Sequence, residues 1–184
     1  MTPNEHGRSG PTSGANRAVN FKSLARLTLE DPLTGLVNQL LLHDRLAQAL
    51  MRSKRRGDRV AVFFIDLDNF RSVNERHGFE IGNAVLCEVA RRLGAMTRSE
   101  DTLSRVGGDE FVVVLSIESE QALGTVTKRV ESTFDEPVSV DGTVVAISAS
   151  VGVVLGDGTE SAEAMLSGAD EAMSAVTQGQ RPDR

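Results

Sequence analysis

The chain has 184 residues, 40% hydrophobic and 25% charged, which is enough for one domain with a real core. Its formal net charge of −6 excludes a protein whose overall field attracts nucleic acid, and an acidic chain that handles an anionic substrate needs a metal ion to bring the two together. One cysteine excludes a disulfide framework, and no apolar run approaches the roughly 18 residues of a membrane span.

Residues 1–20 are rich in Gly, Ser, Thr, Asn and Pro and have almost nothing to bury, so a disordered tail is expected there. They lack the apolar core of a secretory signal, and Cys87 reads as a small buried thiol, so a reducing cytosol is the expected compartment. The expected domain runs over 21–180, with a short tail at 181–184.

Phe21, Leu24, Ala25 and Leu27 recur at near-helical spacing, and Asp31-Pro32-Leu33-Thr34-Gly35 then ends that helix with turn chemistry. Leu36 to Met51 resumes with Leu40, Leu41, Leu42, Leu46, Ala47 and Leu50, an amphipathic helix, and the charge run from Lys54 to Arg59 reads as a solvated connector. Val60 to Ile65 is a continuous apolar run, the signature of a central strand buried on both faces, and Asp66-Leu67-Asp68 closes it. Helices are expected over Phe70 to Arg76 and Ile81 to Met96, broken near Gly78.

Ser104 to Leu115 then reads as a β-hairpin whose turn is Gly107-Gly108-Asp109-Glu110, the glycines supplying backbone angles that a side chain resists. A helix over Ser119 to Phe134, a second hairpin about Asp141-Gly142 that continues through Ser150 to Leu155, and a last helix over Ser161 to Val176 complete the chain. Strands that alternate with helices yet are also joined by tight hairpins predict an α/β (α+β) fold, a mixed and mostly antiparallel sheet of about five strands flanked by helices.

Two acidic clusters on separate strands, Asp66/Asp68 and Asp109/Glu110, are what Mg²⁺ (or Mn²⁺) needs: hard oxygen donors, with remaining positions left to water and substrate phosphates. No His or Cys accompanies them, which disfavours zinc. A carboxylate pair holding such a cation at a sheet edge suits phosphoryl transfer. Two unrelated exposed acidic turns would have the same spacing.

From about Phe21 onward the sequence resembles the GGDEF family, the diguanylate cyclases. Asp31-Pro-Leu-Thr-Gly-Leu-Val-Asn38 is similar to the family's D-x-L-T-G-L-x-N stretch, and Asp66-Leu-Asp-Asn-Phe-Arg-Ser-Val-Asn74 to its D-x-D-x-F-K-x-x-N segment. Arg105-Val-Gly-Gly-Asp-Glu-Phe111 carries the naming motif intact, and Ser148 to Gly152 and Ala169-Asp170-Glu171-Ala172-Met173 match the later S-x-S-x-G and A-D-x-A-[LM] stretches. The resemblance implies a palm-like sheet akin to nucleotide cyclases, of ferredoxin-like type. It implies condensation of two GTP molecules, one on each of two facing protomers, to cyclic di-GMP and pyrophosphate. It places Mg²⁺ on Asp66, the Leu67 carbonyl and Asp109, and gives Asp109 or Glu110 the task of deprotonating the attacking 3′-hydroxyl. Gly108 gives room for the nucleotide, Phe70 and Arg71 cover phosphates, and Asn74 bonds the guanine. Arg98-Ser-Glu-Asp101 falls where the family has its R-x-x-D inhibitory product site, although such a pair is also a common i,i+3 surface contact.

The chain departs from the family pattern at several positions. Asn83 stands where an Asp usually accepts from guanine, and an amide offers one donor and one acceptor instead, so relaxed base selectivity or weaker guanine binding is expected. Thr177 replaces a phosphate-binding Lys while Arg181 remains, Phe79 stands where His is usual and Glu75 where Asp is. The leading expectation is an enzyme acting as a homodimer, without nucleic-acid or membrane partners. The alternatives are a degenerate domain that binds cyclic di-GMP or GTP without turnover, and a scaffold that binds no nucleotide.

Overall fold

A computed structural model describes residues 29–179 of the chain. The tails expected at 1–20 and 181–184, the helix expected from Phe21 apart from its last residue, and the outer limits of the domain lie outside those residues.

The first described helix, α1 (Gln39–Arg56), starts where the Asn38 side chain accepts from the Leu41 amide at 3.1 Å. It stops at Gly57, whose φ of 76° is the left-handed conformation that lets its N–H reach the Ser53 carbonyl. Lys54, Arg55 and Arg56 therefore form the last helical turn, where cations oppose the helix dipole, and only Gly57 and Asp58 remain of the expected connector. Strand β1 (Arg59–Leu67) follows, then α2 (Phe70–His77) and α3 (Phe79–Met96), separated by Gly78 alone. Next come β2 (Thr102–Arg105), β3 (Glu110–Ile117) and α4 (Leu123–Glu131), the last flanked by short 3₁₀ turns that fill out the single helix expected over Ser119 to Phe134. Strands β4 (Val138–Val140), β5 (Thr143–Val145) and β6 (Ala149–Gly156) precede α5 (Ala162–Gly179).

The central sheet is antiparallel, ordered β2-β3-β1-β6. The mixed architecture is as expected, with four strands in this sheet; β4 and β5 pair only with each other, through a turn in which Asp141 and Gly142 both have positive φ. Strand β6 is thus no continuation of that hairpin but a partner of β1.

Alternation along β1 explains its unbroken apolar run. Ala61, Phe63, Ile65 and Leu67 pack with Val85, Val89 and Leu93 of α3 on one face, while Val60 and Val62 pack with Leu42 and Leu46 of α1 and Met165 and Ala169 of α5 on the other. Arg92 fastens α3 to the segment before β4, donating to the carbonyls of Thr133, Glu136 and Pro137 at 3.2, 2.6 and 2.9 Å. Cys87 is exposed rather than buried: the inward stripe of α3 is Val85, Leu86, Val89, Ala90 and Leu93, and position 87 turns away from it. Among the described residues no helix is long and apolar enough to cross a membrane.

Helix α5 lies directly on β6 because Gly152 has no side chain. A Cβ there would come within 2.1 Å of the Met173 nitrogen and 2.2 Å of the Ala169 carbonyl oxygen, backbone atoms that cannot swing aside. Gly152→Ala is therefore expected to cost about 1–3 kcal/mol or more of unfolding free energy through overpacking; an unchanged urea midpoint would show that α5 can lift freely.

Candidate active site

Antiparallel register sets the acidic residues side by side. Asp66, at the end of β1, lies opposite Glu110 of β3 on one side and Ser150 of β6 on the other. Asp109 precedes Glu110 in the turn, and its carbonyl accepts from the Leu67 amide at 3.2 Å, which ties the turn to the end of β1. The carboxylates sense one another. Burial first, then the negative charges of Asp109, Glu110 and Asp68, push the Asp66 carboxyl up to about 6, and burial with Asp109 and Asp170 raises Glu110. Asp68 turns aside, accepting from the Ser150 hydroxyl at 2.8 Å.

The donor chemistry fits a hard divalent cation, which would relieve the repulsion that raises Asp66. Among the described residues no three His, Cys, Asp or Glu side chains close to ligating distance. The set that the family resemblance implies, the Asp66 and Asp109 carboxylates with the Leu67 carbonyl, would leave the other positions to water and substrate oxygens.

Beside the acids opens a cleft of about 600 Å³ lined by Phe70, Arg71, Asn74, Glu75, Phe79, Asn83, Leu86, Arg105, Gly108 and Asp109. Six of these are residues the sequence singled out for nucleotide or metal. Helices α2 and α3 form its walls, and they approach closely at one point: a Cβ on Gly82 would lie 1.9 Å from Asn74 Oδ1, so glycine at 82 lets the Asn74 amide seat against α3. Arg71 reaches Glu75 at 2.8 Å on the open side, both side chains mostly exposed.

Arg105 joins the turn to the start of the first motif, at Asp31. Its Nη1 donates to both carboxylate oxygens of Asp31 at 3.0 and 3.1 Å, and its Nε and Nη2 donate to the Gly108 carbonyl at 3.2 and 2.6 Å. Burial pushes the Asp31 carboxyl up, but the Thr34 hydroxyl and amide and the Arg105 guanidinium outweigh it and hold the carboxyl below its usual value.

The model of the diguanylate cyclase GGDEF domain matches residues 28–182. The chain belongs to the GGDEF family. Among curated relatives, the bifunctional diguanylate cyclase/cyclic di-GMP phosphodiesterase MucR of Pseudomonas aeruginosa is 40% identical over 154 residues, 83% of this chain and 22% of that protein. The diguanylate cyclase TpbB of the same species is 33% identical over 82% of this chain and 35% of its own length. The chain thus spans about a fifth to a third of the length of these two relatives. A solved sensory box/GGDEF protein of Caulobacter crescentus superposes with a TM-score of 0.77 at 36% identity, covering 82% of this chain and 99% of that one. The GGDEF domain of DgcB from the same organism, solved in complex with c-di-GMP, superposes with a TM-score of 0.76 at 25% identity, covering 84% and 90%.

Within this GGDEF domain the naming turn differs from expectation in one respect. Neither Gly107 nor Gly108 has positive φ, so the glycines do not serve backbone angles. Gly107 leaves space for a side chain, since a Cβ there would lie 2.0 Å from Glu110 Oε2, and Gly108 faces nothing within 4 Å. Glu110 lines a different cleft, of about 490 Å³ between α1 and α5, with His43, Glu163 and Asp170, and so does not share a cleft with Asp109.

Arg98 and Asp101 border a third cleft, of about 260 Å³, with Arg129 of α4. Asp101 accepts from the Arg98 amide at 2.7 Å and the Ser116 amide at 3.4 Å, which fixes its carboxylate. Arg129 escaped sequence reasoning because it is brought there by the packing of α4, 28 residues beyond Asp101, with no local signal. Arg105 and Leu86 escaped as cleft residues for the same reason. Thr177 turns its hydroxyl back on the Met173 carbonyl at 3.2 Å and supplies no substitute for a cation. Arg181 lies outside the described residues.

The raised Asp66 carboxyl predicts a pH signature in the metal-free protein. A folded pKa near 6 exceeds the ordinary value of 3.8, so the folded state takes up this proton first. Stability from this group therefore rises as pH falls from about 6 to about 4, and is lowest above 6. In EDTA, Asp66→Asn is expected to melt above the wild type at pH 7, the gap closing by pH 4, while Mg²⁺ raises the melting temperature of the wild type only. Parallel pH profiles would refute the assignment.

Proposed function

We propose that this GGDEF domain is a diguanylate cyclase that condenses two GTP to cyclic di-GMP and pyrophosphate across a homodimer. The observation that carries the reading is the junction of Asp66, the Leu67 carbonyl and Asp109 with the cleft holding Asn74 and Asn83, one end suited to phosphates and the other to a base. When bound, Mg²⁺ or Mn²⁺ supplies neutralisation of charge on the phosphoryl oxygens. Asn74 and Asn83 hydrogen-bond the base edge, Phe70 and Arg71 lie over the phosphates, and the open surroundings of Gly108 admit the nucleotide. Arg181 adds a cation from the end of the chain. Asp109 or Glu110 accepts the proton of the attacking 3′-hydroxyl, and Asp109 is the one lining the nucleotide cleft. Two such clefts must face each other, because each protomer carries one GTP. Arg98 and Asp101 form the inhibitory product site, and the cytosol, where GTP is held, is the compartment.

The second reading is a domain that binds cyclic di-GMP or GTP and no longer turns over. Asn83 and Thr177 favour it, since one weakens guanine pairing and the other removes a phosphate cation.

Product formation from GTP with Mg²⁺, followed by chromatography beside Asp109→Ala, decides between them. Cyclic di-GMP is expected from the wild type and a loss of at least about 100-fold in the variant. Absence of product together with cyclic di-GMP binding that Arg98→Ala abolishes would establish the second reading.

Asn83→Asp restores two acceptors toward guanine N1–H and N2–H₂. It is expected to raise the preference for GTP over ATP about tenfold, from a mismatched donor costing about 1–3 kcal/mol. Equal kcat/KM ratios in the two proteins would remove Asn83 from base recognition.

A further inference from the structure

All seven aromatic residues of the chain are phenylalanines. Of those described, Phe63, Phe70, Phe111 and Phe134 are buried and Phe64 is half-buried, whereas Phe79 is 76% exposed. Yet Phe79 is not scattered on the surface; it lines the nucleotide cleft. It is the first residue of α3, set there by Gly78, whose φ of 84° breaks the chain between α2 and α3. With Asn83 and Leu86 it forms an i, i+4, i+7 stripe that lines the cleft, opposite the i, i+4 pair Phe70 and Asn74 of α2. The slot thus has an apolar floor in Phe70 and Leu86, two amides to meet a base edge, and an aromatic ring at its mouth.

We infer that Phe79 stacks on the nucleobase and supplies affinity that is indifferent to which purine is bound. The inference rests on the reading of this cleft as the nucleotide site. Its physical basis is the division of labour between edge and face. The edge of the base meets Asn74 and Asn83, whose amides each carry a donor and an acceptor and therefore match guanine incompletely. The face of every base is a π-surface, which an exposed phenyl ring covers without regard to the edge. An apolar ring left in water at the lip is what such a slot requires before the base arrives. Removing Phe79 should then weaken GTP and ATP by the same factor, while changes at Asn83 alter their ratio.

The test uses the full chain and the α,β-methylene analogues of GTP and ATP with Mg²⁺, in which the bond broken by condensation is replaced, so that binding is read apart from turnover. Titration calorimetry is expected to show Phe79→Ala binding both analogues about tenfold more weakly, a factor within the usual range for base–aromatic stacking, with the ratio between them unchanged. Phe79→Tyr should restore wild-type affinity. The chain has no tryptophan, so Phe79→Trp carries the only one, and its emission should be quenched at saturating analogue. Equal affinity of the wild type and Phe79→Ala, or unquenched emission from a Phe79→Trp protein that binds normally, would overturn the stacking role and leave the cleft reading intact. A dimer lost in Phe79→Ala with analogue affinity unchanged would assign the ring to contact between two copies instead, and also overturn it. No binding of either analogue by the wild type would overturn the cleft reading and the inference with it.

Discussion

The site depends on one side chain, Arg105, which lines the cleft and holds the turn that bears Asp109. Arg105 divides its guanidinium between two acceptors far apart in sequence, the Asp31 carboxylate and the Gly108 backbone carbonyl, and both it and Asp31 are largely shielded, at 12% and 16% side-chain exposure. A planar fork is needed for this, since a lysine could not serve both acceptors with fixed geometry. The loop it holds is also pinned to β2 by the Ser104 hydroxyl and the Arg105 amide, which donate to the Val37 carbonyl at 2.7 and 3.0 Å. The loop from Glu30 to Val37 thereby covers part of the β2 edge of the sheet, and the turn bearing Asp109 and Glu110 is anchored from the side where, among the described residues, no further strand lies.

Given that anchor, the register of an antiparallel sheet does the rest. Because side chains alternate, the same strand β1 that interlocks the two halves of the core delivers Asp66 to its end with no freedom to slip by one residue. The cost is electrostatic: a half-buried carboxylate among three others stays protonated to about pH 6 unless a cation is supplied. Core and site are coupled in this way, since the apolar strand that fixes the position of Asp66 is also what deprives it of solvent.

Much of this was legible in the sequence. The run from Val60 to Ile65, the two acidic clusters, the Asp141-Gly142 turn and the family motifs each carry their signal in a few adjacent residues; the sheet sets Asp66 opposite Glu110, and Asn74, Asn83 and Asp109 line one cleft. What could not be read depends on contacts distant in sequence. The role of Arg105 appears only when Asp31 is 74 residues away and in hydrogen-bond reach, and Arg129 joins Arg98 only through the packing of α4. The exposure of Cys87 is not legible locally, because its neighbours in sequence are apolar, whereas burial on a helix follows neighbours three and four residues away. The glycines of the naming turn were assigned to backbone angles, a local rule, when their use is steric room for Glu110 and for whatever approaches Gly108.

The departures from the family pattern at Glu75, Phe79, Asn83 and Thr177 all fall on helices and leave the acidic strand end and turn untouched. Phe79 and Asn83 line the cleft from α3 and Thr177 lies on α5, while Asp66 and Leu67 end the central strand β1 and Asp109 lies in the turn before β3. This distribution follows from the architecture. Positions 79 and 83 lie on the exposed side of α3, whose opposite stripe is buried against the sheet, so their side chains can change without disturbing the core. Thr177 lies near the end of α5, four residues beyond the helix's last buried residue, Met173. By contrast, a change at Asp66 alters a residue flanked by two strands, and one at Asp109 alters the turn that Arg105 and Leu67 hold. The fold thus separates the acidic residues, whose positions are set by register, from the cleft-lining side chains on helical surfaces, which vary at little structural expense.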